Sequence, residues 1–238
     1  MIKIGLLGYA GRMGQAIAAE IAASAACELA GGVVRELKPE YKKSKLLITT
    51  KADDVIAISD VAVDFTFAAA TIPYAKLAAA HNKPFMTGTT GLAAKDLDEL
   101  KKLAKKIPVL AAPNTSLSLA AMKQLTTLAA KLLGNMDYDI AIRDEHHRMK
   151  KDMPSGTARS LGAAVARGNA KKQASFASIR AGHIIGEHEV IFAGPGETIR
   201  LHHSVSDRAI FARGALQAAL WLHGKPAGFY GMEDVLGI

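Results

Sequence analysis

The chain is predicted to fold as a doubly wound parallel α/β sheet followed by a second α+β domain with a mixed or antiparallel sheet. Three observations lead there. The first half alternates short β-rich runs with helix-period segments, the pattern of crossover units. A glycine-rich turn sits directly after the first such run. Past residue 170 or so, three strand-like runs follow one another without a helix between them.

Taken in order, Ile2 to Gly8 reads as the first strand, Gly11 to Ser24 as a helix and Cys27 to Val34 as the second strand. Further strands are expected at Val61 to Phe67, Pro84 to Gly88 and Val109 to Ala112, with helices near 71–81 and 93–106. After Pro113 the pattern changes to a long apolar helix over 117–133, a strand through Asp139 to Ile142 and a helix from Thr157. Strand-like runs at 174–181, 187–193 and 197–205 precede a last helix, Arg208 to Leu222, which fits either domain.

At 238 residues and 50% hydrophobic content, the chain can bury a real core. No run of about 18 apolar residues occurs, and the N-terminus enters a strand pattern directly, so a soluble, cytoplasmic protein is expected. The only cysteine, Cys27, lies in an apolar run and reads as a small buried hydrophobe. The net charge of +8 invites nucleic acid, a membrane surface or small anions as partners. Lys42, Lys43 and Lys45 read as a solvated loop, and the lysine pairs at 101–102 and 105–106 as a solvated helix face. With aromatic residues at only 5%, stacking on nucleic acid is not supported, and neither nucleic acid nor membrane is expected as a partner. Anionic metabolites fit the basic balance better.

Gly8-Tyr9-Ala10-Gly11-Arg12-Met13-Gly14 follows a strand and opens a helix in the first crossover. In that context glycines permit a tight turn, close helix packing and an approach of backbone N–H groups to a pyrophosphate. A Rossmann-like dinucleotide site is therefore expected. At the end of the second strand Arg35 precedes Glu36. A guanidinium there favours the 2′-phosphate of NADPH, whereas a carboxylate favours the ribose of NADH, so NADPH is preferred and NADH stays open. Two loops leave strand ends on the same predicted edge, Gly88-Thr89-Thr90-Gly91 and Ala112-Pro113-Asn114-Thr115-Ser116. Each offers nicotinamide contacts or is ordinary turn chemistry.

The segment Glu145 to Thr157, EHHRMKKDMPSGT, packs two imidazoles, an arginine and two lysines before a Pro-Ser-Gly-Thr helix entrance. Free N–H groups and the positive dipole end suit a carboxylate. His146 or His147 can exchange protons near neutrality, and Lys150 can donate a proton or anchor an anion. No metal is expected, since adjacent histidines diverge and the cationic neighbours repel a divalent ion. These residues alone leave open an aspartate or homoserine dehydrogenase-like enzyme and a non-catalytic nucleotide-binding protein.

In their order along the chain, the glycine loop, GTTG, APNTS and EHHRMKKDMPSGT resemble dihydrodipicolinate reductase, also called 4-hydroxy-tetrahydrodipicolinate reductase, nearly end to end. The last motif is close to that family's E-x-H-H-x-x-K-x-D-x-P-S-G-T and differs at its first positions. Arg180-Ala181-Gly182, Gly186-Glu187-His188 and Arg208 to Ala212 leading into Trp221 extend the likeness. The resemblance implies hydride transfer from NAD(P)H to the cyclic imine formed when the 4-hydroxy substrate loses water, a step of lysine and diaminopimelate biosynthesis. It implies His146 as general acid/base and Lys150 as proton donor. His147, Ser155, Gly156 and Thr157 would hold the dicarboxylate. Gly8, Tyr9, Ala10, Gly11, Arg12 and Met13, with Gly88, Thr89, Thr90, Ala112, Pro113, Asn114 and Thr115, would line the cofactor, beside the Arg35 already read from the residues. It further implies a homotetramer built through the second domain, and a nucleotide domain of 1–114 plus 209–238 around a substrate-binding and oligomerisation domain of 115–208. The chain departs from the family in two shortened links, Leu37 to Leu47 and Gly168 to Ile179.

Overall fold

The computed structural model describes residues 1–238, except for the side chain of Lys42, so its expected solvation lies outside the described residues. The chain divides into two compact units, Met1–Ser116 with Ala209–Gly237, and Leu117–Arg208 with Ile238.

The first unit holds the strands β1 (Ile2–Leu7), β2 (Cys27–Val33), β3 (Leu47–Thr49), β4 (Val61–Asp64), β5 (Phe85–Thr87), β6 (Pro108–Ala111) and β11 (Gly228–Tyr230). Its helices are α1 (Arg12–Ala22), α2 (Ala52–Ile58), α3 (Ala68–Ala80), α4 (Ala94–Leu103), α7 (Ala209–Leu222) and α8 (Met232–Val235). The strands form one seven-stranded sheet in the order β11-β6-β5-β4-β1-β2-β3, and every pair is parallel. Strand order reverses between β1 and β4, so their carboxyl ends form the crevice where ligands of such sheets bind.

Both faces of this sheet are buried, which is why its strands read as continuous apolar runs. On one face Leu7, Val33, Phe85 and Val109 pack with Val55, Ala75, Ala78 and Leu100 of α2 to α4. Ile4 and Leu6, also fully buried, lie on the other face by alternation. There α1 and α7 pack together, and α7 reaches β4, β5 and β6. Helix α7 thus returns the chain to the first unit.

The second unit holds α5 (Leu117–Leu133), β7 (Asp139–His146), α6 (Gly156–Gly168), β8 (Ser175–Arg180), β9 (Glu187–Gly194) and β10 (Glu197–Ser204). Its sheet runs β10-β9-β7-β8, with β8 parallel to β7 and β9 antiparallel to both β7 and β10. It is a mixed sheet. Ile140, Ile142, Val190 and Phe192 on one face meet Leu119 and Met122 of α5 and Leu161 and Val165 of α6.

Two strands and two α-helices escape the sequence patterns: β3, β11, α2 and α8. The two strands span three residues each and the two helices seven and four, too short for periodicity to emerge. A larger difference is β7, which continues four residues beyond the expected Ile142 and carries Glu145 and His146 within the sheet. Its alternation does not stop at Ile142. Asp144 and His146 occupy the next two buried positions, so the face changes chemistry and not period.

Candidate active site

In the first unit the turn after β1 is a cradle with no room for side chains. Gly8 has φ +89°, and a Cβ there would meet the Phe65 carbonyl oxygen at 2.4 Å. A Cβ on Gly14 would lie 2.2 Å from the Gly8 carbonyl oxygen. Helix α1 begins at Arg12 with Gly11 as N-cap, no side-chain cap and no acidic residue in its first turn. Its early N–H groups and positive dipole end are left for an external anion, as a dinucleotide pyrophosphate requires. Tyr9 packs its ring against Gly32 and stands edge-on to Tyr41. Arg35 is exposed just past β2, its guanidinium 5.6 Å from the Phe67 ring centroid. Cradle and helix terminus fit the pyrophosphate of a dinucleotide.

The loop after β4, missed by the sequence reading because that strand was drawn through Phe67, ties the site together. The Phe65 ring fills the space a side chain on Gly88 would need. Thr66 N donates to Thr89 Oγ1 at 3.0 Å. Beneath them lies Asp64, wholly buried at the end of β4. It accepts hydrogen bonds from the hydroxyls of Thr66 (2.5 Å), Thr71 (2.8 Å), Thr87 (2.9 Å) and Thr89 (3.0 Å). This carboxylate fastens the loops after β4 and β5, together with the start of α3, to the sheet edge.

Thr89, Ala112 and Pro113 share a cavity of about 490 Å³ with Thr87, Gly91 and Phe229, a size suited to part of a cofactor. Thr90 is exposed. Asn114 Oδ1 accepts from Ser116 N at 3.0 Å, and the Thr115 hydroxyl donates to the Phe211 carbonyl at 2.6 Å. Those two side chains hold the turn and anchor it to α7.

In the second unit the polar end of the sheet gathers a buried cluster. His146 Nδ1 lies 3.1 Å from Asp144 Oδ2, and the Arg180 guanidinium reaches the same oxygen at 2.9 Å. Ser178 Oγ donates to Asp144 Oδ1 at 2.6 Å. Pairing of β7 with β8 sets Asp144 beside Ser178 and His146 beside Arg180, and β9 sets His188 beside Asp144 on the other flank. The rings of His146 and His188 meet edge-on with centroids 5.0 Å apart. Burial, reinforced by the Lys150 charge, pushes His146 below the ordinary histidine range, while Asp144 pulls the other way. Burial pushes Asp144 up, yet the Ser178 hydrogen bond and the Arg180 charge outweigh it and hold the carboxyl low. His188 is driven down to about 3, chiefly by burial and then by His146. A neutral His146 beside an ionised Asp144 is poised for proton exchange.

His147 follows the strand and opens a turn closed by Lys150 N donating to the His147 carbonyl at 3.1 Å. Lys150 Nζ pairs with Asp152 at 2.8 Å, and this contact, with a backbone hydrogen bond from Gly156, lowers the Asp152 pKa. The helix entrance expected at Thr157 begins at Gly156, with Ser155 as N-cap accepting from Ala158 N. Ser155 Oγ also lies 3.3 Å from His188 Nε2. Within the chain, then, Asp152 supplies the anion that Lys150 and the start of α6 attract, and Ser155 Oγ caps the helix as an acceptor with its O–H still able to donate.

Asp144, Ser178, Arg180 and His188 carried no role in the sequence reading. The available signal was His188 in step with Val190 and Phe192 along β9, a polar residue on a core-facing row. Asp144, His146 and His188 also place three donor atoms within 4.8 Å of one another. Arg180 already occupies the carboxylate, so a cation stands where a metal would need that ligand.

Sequence models of the N-terminus and the C-terminus of dihydrodipicolinate reductase match residues 2–115 and 118–236. The 4-hydroxy-tetrahydrodipicolinate reductase of Zymomonas mobilis is 43% identical over 256 aligned residues, covering 100% of this chain and 98% of the relative. That of Syntrophobacter fumaroxidans is 38% identical, covering 100% of both. Among solved structures, the dipicolinate-bound dihydrodipicolinate reductase from Paenisporosarcina sp. TG-14 has the same fold. Its TM-score is 0.83 at 22% identity, covering 98% of this chain and 99% of that one. With both halves matched in order and relatives aligned from end to end, the chain belongs to the dihydrodipicolinate reductase family.

Proposed function

We propose that the chain reduces the cyclic imine formed by loss of water from 4-hydroxy-tetrahydrodipicolinate, giving tetrahydrodipicolinate in lysine and diaminopimelate biosynthesis. NAD(P)H, when bound, supplies the hydride. Residues 1–114 with 209–238 are the nucleotide half, and 115–208 the substrate and oligomerisation half. The observation that carries this reading is His146, buried at the end of β7 with Asp144 on Nδ1 and Lys150 close enough to bias it electrostatically. His146 exchanges the proton that balances the hydride, and Lys150 supplies a second proton or holds the substrate's charge. His147 with Ser155, Gly156 and Thr157 receives a carboxylate, for which Asp152 is the resident stand-in.

The Gly8 to Met13 turn binds the pyrophosphate, and Gly88 to Thr90 with Ala112 to Thr115 binds the nicotinamide end. Arg35 is assigned to the 2′-phosphate of NADPH, supported by its exposure and its stacking on Phe67. NADH is the weaker substrate in this reading, and Arg35→Ala should raise the KM for NADPH about tenfold while sparing that for NADH. No helix among the described residues is long and apolar enough to cross a membrane, and the cytoplasm is assigned as the location because a biosynthetic reductase meets NAD(P)H there. A homotetramer is supported by Ile179, Leu125, Leu128 and Leu132, all exposed on the second unit.

The test is consumption of NADPH or NADH with freshly made substrate. His146→Gln and Lys150→Ala should each lower turnover about a hundredfold or more with nucleotide binding intact. Near-normal turnover in both variants removes the chemistry from this segment, and a wild-type protein that binds nucleotide without consuming it leaves only a binding role.

A further inference from the structure

Building on the role given to His146 above, we propose that Asp144 is a positioning residue: it holds the His146 ring in the Nδ1–H tautomer and leaves Nε2 as the atom that exchanges the proton.

The argument rests on the bonding of one carboxylate. Asp144 is fully buried, and its two oxygens have different tasks. Oδ1 accepts from Ser178 Oγ at 2.6 Å. Oδ2 lies 2.9 Å from Arg180 Nη2 and 3.1 Å from His146 Nδ1. An ionised carboxylate only accepts hydrogen bonds, so a neutral His146 facing it must carry its proton on Nδ1. The tautomer of a histidine is set by the bond its other nitrogen makes. On the far side of the ring stands Gly186, where even a Cβ would come within 3.3 Å of Nε2. The residue there has no side chain to cover that nitrogen.

The carboxylate is itself braced. Arg180 Nη2 also donates to the Asp152 carbonyl at 2.6 Å, and Nη1 to the Ile179 carbonyl at 2.7 Å. The guanidinium therefore links β8, Asp144 and the segment carrying Lys150. Asp144 and His146 are two residues apart on one strand, so the sheet fixes their spacing and no loop motion is needed to align them. When His146 takes a second proton, Asp144 faces the imidazolium directly, whereas Lys150, Arg180 and His188 are the other titratable or charged groups acting on the ring, and each opposes its charge. Asp144 is the group among them that favours it.

The test reads the tautomer in the free protein, from long-range 1H–15N correlations of the His146 ring, alongside kcat and KM for Asp144→Ala and Asp144→Asn. In the wild type the proton should sit on Nδ1. Asp144→Ala should release this bias and lower kcat at least about 30-fold, with the Kd for NADPH unchanged. Asp144→Asn, whose amide oxygen can still accept from both Arg180 and Nδ1–H, should keep the wild-type tautomer and recover part of the lost turnover. An Nε2–H tautomer in the wild type overturns the proposal, as does an Asp144→Ala kcat within about threefold of wild type. Should Asp144→Ala not fold, the wild-type tautomer alone decides. Because that spectrum needs no substrate, failure of the proposed reaction would leave it standing, and the wrong tautomer would sink the role of Asp144 with the reaction intact.

Discussion

Lowering the pH should destabilise this protein through His188, beginning before its carboxylates titrate. The ring is 4% exposed, its Nδ1 has no hydrogen-bond partner among the described residues, and its pKa falls from 6.5 to about 3. A group whose folded pKa is depressed binds protons preferentially in the unfolded chain. Its stabilising contribution is complete above pH 6.5 and is lost as pH falls from 6.5 towards 3. Over the whole window this amounts to about 5 kcal/mol, of which about 2 kcal/mol is lost between pH 7.5 and pH 5. Burial lowers His146 and His203 as well, so they add to the loss in the same direction. Urea unfolding of the wild type and of His188→Gln, each at pH 7.5 and pH 5, isolates the His188 share. The variant should start less stable but lose about 2 kcal/mol less on acidification. If both proteins lose the same amount to within about 0.5 kcal/mol, His188 is not buried neutral and the reasoning fails.

Two further perturbations probe the first unit. Gly14→Ala puts a methyl 2.2 Å from the Gly8 carbonyl oxygen and 2.7 Å from that of Tyr9, so the turn must shift. A rise of at least about tenfold in the Kd for NADPH is expected by fluorescence titration, and an unchanged Kd would show that the turn does not hold the pyrophosphate. Asp64→Asn replaces one acceptor oxygen by a donor facing Thr66 N or the threonine hydroxyls. Hydrogen bonds to a charged group contribute about 1.5–3 kcal/mol, so the variant should lose about 2–4 kcal/mol in urea unfolding, and a loss below about 0.5 kcal/mol would mean the threonines find other partners.

The parallel sheet was legible in the sequence because strands buried on both faces must be apolar throughout, as Ile4, Leu6 and Leu7 are. The glycine cradle was legible for a related reason: only glycine tolerates the backbone at Gly8 and the close approach at Gly14. His146, Lys150 and the Ser155 cap lie within a dozen residues of one another, so the segment stands out in the sequence as a dense local motif. The return of α7 to the first unit could not. Its apolar pattern suits burial anywhere, and what fixes it is packing against α1 together with the approach of Gly214 to the Thr115 carbonyl.

The sequence by itself therefore determined the fold class and the glycine cradle, since each depends on local backbone geometry or on the periodicity of burial. Tertiary structure alone decided the partners. Ser178, Arg180 and His188 stand 34, 36 and 44 residues from Asp144 and meet it only because β8 and β9 flank β7 in this register. Asp64 likewise gains Thr87 and Thr89 only when β5 pairs beside β4. A carboxylate in a sequence does not reveal what will donate to it. Burial makes those donors obligatory, and strand pairing chooses which residues they are.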